Sequence, residues 1–174
     1  MSDNYLNLFR KQNYSPWRWP ANWKPNIKHF FRNFKYAYQR ATRGFSDWDA
    51  WDLDLFYTHL FRDSLNYFAE NTYGYPGNDE FPTIESWQEY LKDIAWHFDQ
   101  SIEGNEEIKN PYEEEFEKQL FSRDWLKNIN QPTEEDKAIS KKYLDEEMKI
   151  ADYRDNHFSI GVDKMKHIFG HLWW

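Results

Sequence analysis

A chain of 174 residues without cysteine excludes a disulfide framework and any zinc site built on thiolates. Its length suits one domain with a core of its own, and although mean hydropathy is −1.05, aromatics at 21% argue for a core built from rings rather than for disorder. The net charge of −8 is divided: residues 1–45 carry nine Lys and Arg against Asp3 alone, and the remainder carries twenty-nine acids against thirteen bases. Such asymmetry points to electrostatic work, within the molecule or with a partner.

Residues 1–24 form a basic arm in which Trp17, Arg18 and Trp19 alternate rings and charge. Pro16, Pro20 and Pro25 forbid a continuous helix there, so an extended segment is expected. Two readings stand. Trp can stack on bases while Arg pairs with phosphate, or the arm wraps the acidic body of its own chain. A helix over 26–41 follows, with Pro25 near its first turn. Ile27, Phe30, Phe31, Phe34, Tyr38 and Ala41 make its apolar stripe. Lys28, Arg32, Lys35, Gln39 and Arg43 follow the other side, as a solvated face or as a surface for phosphates or acidic protein.

The stretch from Arg40 to Gly77 organises the rest. Ser46 with Asp49 has the spacing of a capping box, and Asp47, Asp49, Asp52 and Asp54 crowd the start, where the helix dipole favours carboxylates. Trp48, Trp51, Leu55, His59, Phe61, Leu65 and Phe68 predict one long central helix over 46–71. A glycine cap at Gly74 and the Pro76-Gly77 turn should end it.

The run Arg43-Gly44-Phe45-Ser46-Asp47, the Trp51–Asp54 segment WDLD and the Gly74-Tyr75-Pro76 turn resemble a set of small phage and prophage proteins sharing an RG(Y/F)SD…WxLD…GYP core. Trp87-Gln88, Ile94-Ala95, Phe98 and the closing 169–173 are similar to their downstream helices. The likeness covers about 35–103 and, more weakly, the C-terminus. It implies an origin in a virus of a bacterium and carries no catalytic residue with it.

Beyond the 75–82 loop, Thr83 caps a helix with Trp87, Leu91, Ile94, Phe98 and Ile102 inward, closed by Gly104. Pro111 opens a helix to about Ile129, with Phe116, Leu120, Phe121 and Trp125 inward and four glutamates at its start. Thr133 caps a charged helix to about Asp155, whose narrow seam is Ile139, Tyr143, Met148 and Ala151. A turn at 156–159 leads to a last helix with Ile160, Met165, Ile168, Phe169 and Leu172. Trp173-Trp174 should pin the C-terminus to the core or lie on a partner's surface.

Chemistry has to be sought on helices. His167 and His171 are four apart, the spacing of a metal-binding helix, but Ile168 leaves no general base and no third ligand is evident. Glu114 with Glu117 gives one carboxylate pair of the all-α nucleoside triphosphate pyrophosphohydrolases. The partner helix offers only Asp152 and Asp155, which departs from that pattern. His59 with Asp63, and His97 with Asp99, complete the acid–base pairings, His59 being expected in the core. Asp47, Asp49, Asp52 and Asp54 could mimic a row of phosphates to a DNA-binding protein.

The expectation is an all-α chain: a single irregular bundle of about six helices over 25–174 around the central helix, with an extended arm over 1–24. No metal or cofactor is expected. The functional expectation is a non-catalytic phage protein in the host cytoplasm that occludes the surface of a host protein, a nucleic-acid-handling component of antiviral defence. Its contacts would come from Trp17, Arg18, Trp19, Lys28, Arg32, Lys35, Arg43, Asp47, Asp49 and Asp54. The alternatives are a nucleic-acid-binding accessory protein using residues 10–43, a metal-dependent hydrolase using His167 and His171 or the helical acids, and a virion structural protein. No apolar run approaches the ~18 residues of a membrane span, so no membrane partner is expected.

Overall fold

The computed structural model describes residues 23–121 and 133–173, with the side chains of 23–30 outside that description. Among the described residues the chain is all-α. It forms α1 (Trp23–Arg43), a 3-10 turn (Asp49–Trp51), α2 (Leu53–Asn71), α3 (Ile84–Gln100), α4 (Glu113–Leu120), α5 (Glu134–Ile168) and a closing 3-10 turn (Phe169–His171). It falls into two compact units. One contains the residues up to Trp96 and those from His171 on; the other is His97–Gly170.

In the first unit, α1 already includes Trp23 and Lys24, both expected in the arm. Residues 1–22 lie outside the described chain. Pro25 stands in the first turn, where its missing N–H costs nothing. Gly44, at φ +86°, ends α1 and donates its N–H to the Arg40 carbonyl at 3.0 Å. Among the described side chains the expected stripe of α1 faces outward; those of Ile27 and Phe30 lie outside the description. Phe31, Phe34 and Tyr38 are exposed, while Ala37 is buried and Arg32, Tyr36, Gln39 and Arg40 turn partly inward. The cause is polar: Gln39 and Arg40 are held by Asp47 and Asp49, and that grip rotates the apolar side outward.

The expected single helix over 46–71 is interrupted. Ser46 and Asp49 make the reciprocal bonds of a capping box, Ser46 N–H to the carboxylate at 2.8 Å and Asp49 N–H to the hydroxyl at 3.3 Å. They cap only the 3-10 turn. Asp52 leaves helical geometry at φ −126°, ψ 59°, and α2 starts afresh at Leu53. The buried face of α2 shifts with that break to Phe56, His59, Arg62, Leu65 and Ala69. Its end is also not a glycine cap: Thr72 turns extended, and Gly74 is absent from the positive-φ glycines. Phe81 then packs edge-on to Trp87 at 4.9 Å.

Thr83 caps α3 as expected, accepting from Ser86 N–H at 3.2 Å. The expected stripe of α3 is buried throughout, from Trp87, Leu91 and Ile94 in the first unit to Phe98 and Ile102 in the second. A strict 4-3-4-4 spacing leaves one face only, and that face is core.

In the second unit, α4 packs on α5 through a parallel stack of Phe116 on Tyr143, 4.2 Å between centroids. Within the described chain α4 ends at Leu120 rather than near Ile129, and Phe121 is exposed rather than inward. Trp125 and the rest of 122–132 lie outside the described residues. Thr133 and Asp136 form a full capping box at the start of α5. The turn expected at 156–159 is helix. No Gly or Pro stands there, and His157 is drawn into the unit's interior, so α5 runs unbroken for 35 residues. Trp173 is exposed rather than pinned, and Trp174 lies outside the described residues.

Candidate contact surface

The first unit is locked by two carboxylates of the Phe45–Asp49 loop. Asp49 is fully buried and receives Arg40 in a two-pronged grip, Nε to Oδ2 at 2.7 Å and Nη2 to Oδ1 at 2.5 Å. Ser46 Oγ donates a third bond at 2.7 Å. Burial pushes the Asp49 carboxyl up, but the Arg40 and Ser46 bonds outweigh it and hold it below the usual carboxylate range. Asp47, half-exposed, takes Lys35 Nζ and Gln39 Nε2 on one oxygen, both at 2.8 Å, and Arg43 on the other at 2.5 Å. The Lys35, Gln39 and Arg43 bonds hold its carboxyl well below the usual range.

This changes the standing of the expected site residues. Lys35 and Arg43 face an acid of their own chain, and Arg32 is half-buried, so the cationic stripe is largely a clamp. Asp47 is neutralised by Lys35 and Arg43 and Asp49 by Arg40, which leaves Asp52 and Asp54 as the exposed members of the proposed acid row. Trp17, Arg18 and Trp19 lie outside the described residues, as does the Lys28 side chain.

What the clamp holds outward is a ring. Trp51, expected in the core, is 86% exposed on the 3-10 turn that Asp49 opens. Beside it Asp52 and Asp54 are exposed, with Leu53 and Tyr57 also showing at the start of α2. Tyr57 is fixed by a stack on Phe61, 6.1 Å between centroids at 19°. An exposed Trp beside carboxylates, with a fixed aromatic ring next to it, has the composition of a protein-contact surface.

No family model, curated protein or solved structure matches this chain.

The remaining candidates separate. His171 falls in the closing 3-10 turn while His167 is on α5, and both are exposed, so the spacing of an α-helical ligand pair is lost. Glu114, Glu117, Asp152 and Asp155 are all exposed. Among the described residues no three His, Asp or Glu are grouped to hold a metal ion. His59 is buried as expected. A polar cavity of about 320 Å³ lies between the 103–113 loop and α5, where Asn110 Nδ2 bonds the Tyr143 carbonyl and Glu147.

His97 meets a residue sixty positions away that sequence reasoning missed. Its Nδ1 lies 3.1 Å from Nδ1 of His157, both rings buried, with Tyr153 4.3 Å over His157. One ring donates and the other accepts, so at least one must keep a bare nitrogen. Burial lowers the His157 pKa against the opposing pull of Glu107. An unfolded histidine takes up its proton near pH 6.5. The contribution of His157 to stability is therefore complete above about pH 6.5 and lost as pH falls through its depressed value. The thermal midpoint should drop between pH 7.5 and 5.5, and His157→Gln should flatten that drop. An equal drop in the variant would assign it to other groups.

Proposed function

We propose that this chain is a non-catalytic, phage-encoded binding protein whose work is done by the Trp51–Tyr57 surface, set against a host protein in the bacterial cytoplasm. The carrying observation is a Trp 86% exposed on a turn clamped by a buried Arg40–Asp49 pair. Tryptophan on a rigid mount is an efficient interface anchor, because it brings a large ring at little cost in ordering. Asp52 and Asp54 would favour a partner whose apolar pocket has a basic rim. A nucleic-acid-handling component of antiviral defence has such a rim, and occluding it would inhibit without chemistry. Lys35 and Arg43 are engaged within the chain, which weighs against the nucleic-acid-binding alternative.

Affinity capture from the infected host should be run in parallel with wild type and Trp51→Ala. A specific partner should bind the variant at least ~30-fold more weakly, the loss of an anchor of about 2 kcal/mol, with the melting temperature unchanged. Equal binding by the variant would remove this surface from the proposal. Turnover of a nucleotide or nucleic acid by the purified protein, lost on mutating a few acids, would overturn the non-catalytic reading.

A further inference from the structure

Helix α5 carries a second apolar seam that the fold of its own unit covers only in part, Phe158 meeting Phe98 at one edge. Its buried face is Ile150, His157, Gly161 and Ile168. About a third of a turn away run Leu144, Met148, Ala151, Asp155, Phe158, Val162, Met165 and, just past the helix, Phe169. Leu144 is 57% and Met148 59% exposed, and Phe158, Val162 and Phe169 are also open to solvent. An open groove of about 860 Å³ runs along the first half of this side, lined by Lys137, Lys141, Leu144, Met148 and Ala151 among others.

The steps of this seam are four, three, four, three, four, three and four residues. That is a seven-residue repeat. A straight helix drifts about 20° per heptad away from it, so the line stays on one face only when the helix winds on another helix. Surface apolar residues that fall on a helix by chance have no reason to keep this register over three and a half turns of the repeat.

We propose that the seam pairs with the same seam of a second copy, as an antiparallel two-helix coiled coil centred near Tyr153. The single charge in the line decides the orientation. In a parallel, in-register pair the two Asp155 carboxylates would face each other in the apolar seam, which is costly. Antiparallel pairing instead sets Leu144 against Val162 of the other copy, Met148 against Phe158, and Asp155 against the small Ala151. Leu144–Val162 and Met148–Phe158 then flank the centre on both sides, Met165 and Phe169 lie against the aliphatic stems of Lys141 and Lys137, and Asp155 has room beside Ala151 to reach solvent. Pairing over this length covers roughly 1,200 Å² in all, the size at which specific interfaces begin. A reversible dimer is the expected result.

The chain has no cysteine, so introduced thiols report cleanly. Light scattering across a concentration series should show dimer for wild type and monomer for Leu144→Glu/Met148→Glu, with unchanged far-ultraviolet circular dichroism. These side chains are exposed, so folding of the unit does not depend on them. Mixed Leu144→Cys and Val162→Cys proteins should join through a bismaleimide of about 8 Å reach. Leu144→Cys alone should not, because antiparallel copies hold those positions eighteen residues apart, about 27 Å at 1.5 Å per residue. A monomer at every concentration would overturn the proposal and leave the seam to a different protein. So would a dimer that survives the double Glu variant, or crosslinking of Leu144→Cys with itself.

Discussion

Arg40→Ala should destabilise the first unit by about 3–5 kcal/mol, the loss expected when one partner of a buried ion pair is removed. The side chains are 9% and 0% exposed, so solvent cannot replace the guanidinium beside Asp49. The bare carboxylate would retain the Ser46 bonds and little else. Urea denaturation measures the loss, and the double variant Arg40→Ala/Asp49→Ala discriminates its cause. With both charges gone, nothing buried is left unpaired, and the double variant should be more stable than Arg40→Ala alone. An Arg40→Ala midpoint equal to wild type would show that α1 is held by its apolar contacts instead. The effect reaches function through geometry: freeing Asp49 unties the turn that holds Trp51 outward, so Arg40→Ala should weaken partner binding without touching the contact surface.

Phe98→Ala should cost about 3–5 kcal/mol in the second unit, as a fully buried ring is replaced by a cavity. The ring fills the space left by Gly161 on α5, where an added Cβ would lie 3.3 Å from Cε1, and it meets Phe158 edge-on at 6.0 Å. This gives a coupling with a definite sign. In wild type, Gly161→Ala gains about 1 kcal/mol of helix propensity but crowds the ring, so the net change is small or unfavourable. In the Phe98→Ala background the crowding is gone and the same change should stabilise. A double-mutant cycle on denaturation midpoints reads the difference. Additive effects would mean that ring and glycine do not share the space.

Local patterning carried much of this fold. The stripe from Trp87 to Ile102 and the caps at Thr83 and Thr133 were legible because each depends on residues within a few positions of one another. The candidate surface was only half legible. The sequence offers Asp54 to a partner, and it is exposed; the same pattern sets Trp51 in the apolar repeat of one helix from Ser46, and the break at Asp52 turns it out to solvent instead.

The amino-acid sequence by itself determined the helical class, the buried face of α3 and the excess of negative charge after residue 45. The core expected from rings is instead mostly aliphatic among the described residues, with Leu65, Leu91, Ile94, Ile102, Ile150 and Ile168 beside Phe56, Phe81, Trp87 and Phe98. It did not decide which way α1 faces, where the central helix breaks or what His97 meets. Each of those was settled by a contact across chain separation: Arg40 with Asp49 nine residues on, and His97 with His157 sixty residues on. Hydrophobic periodicity states only which residues can be buried together. A buried charge must find its counter-charge, and α1 turns its cations rather than its rings toward the loop to satisfy one.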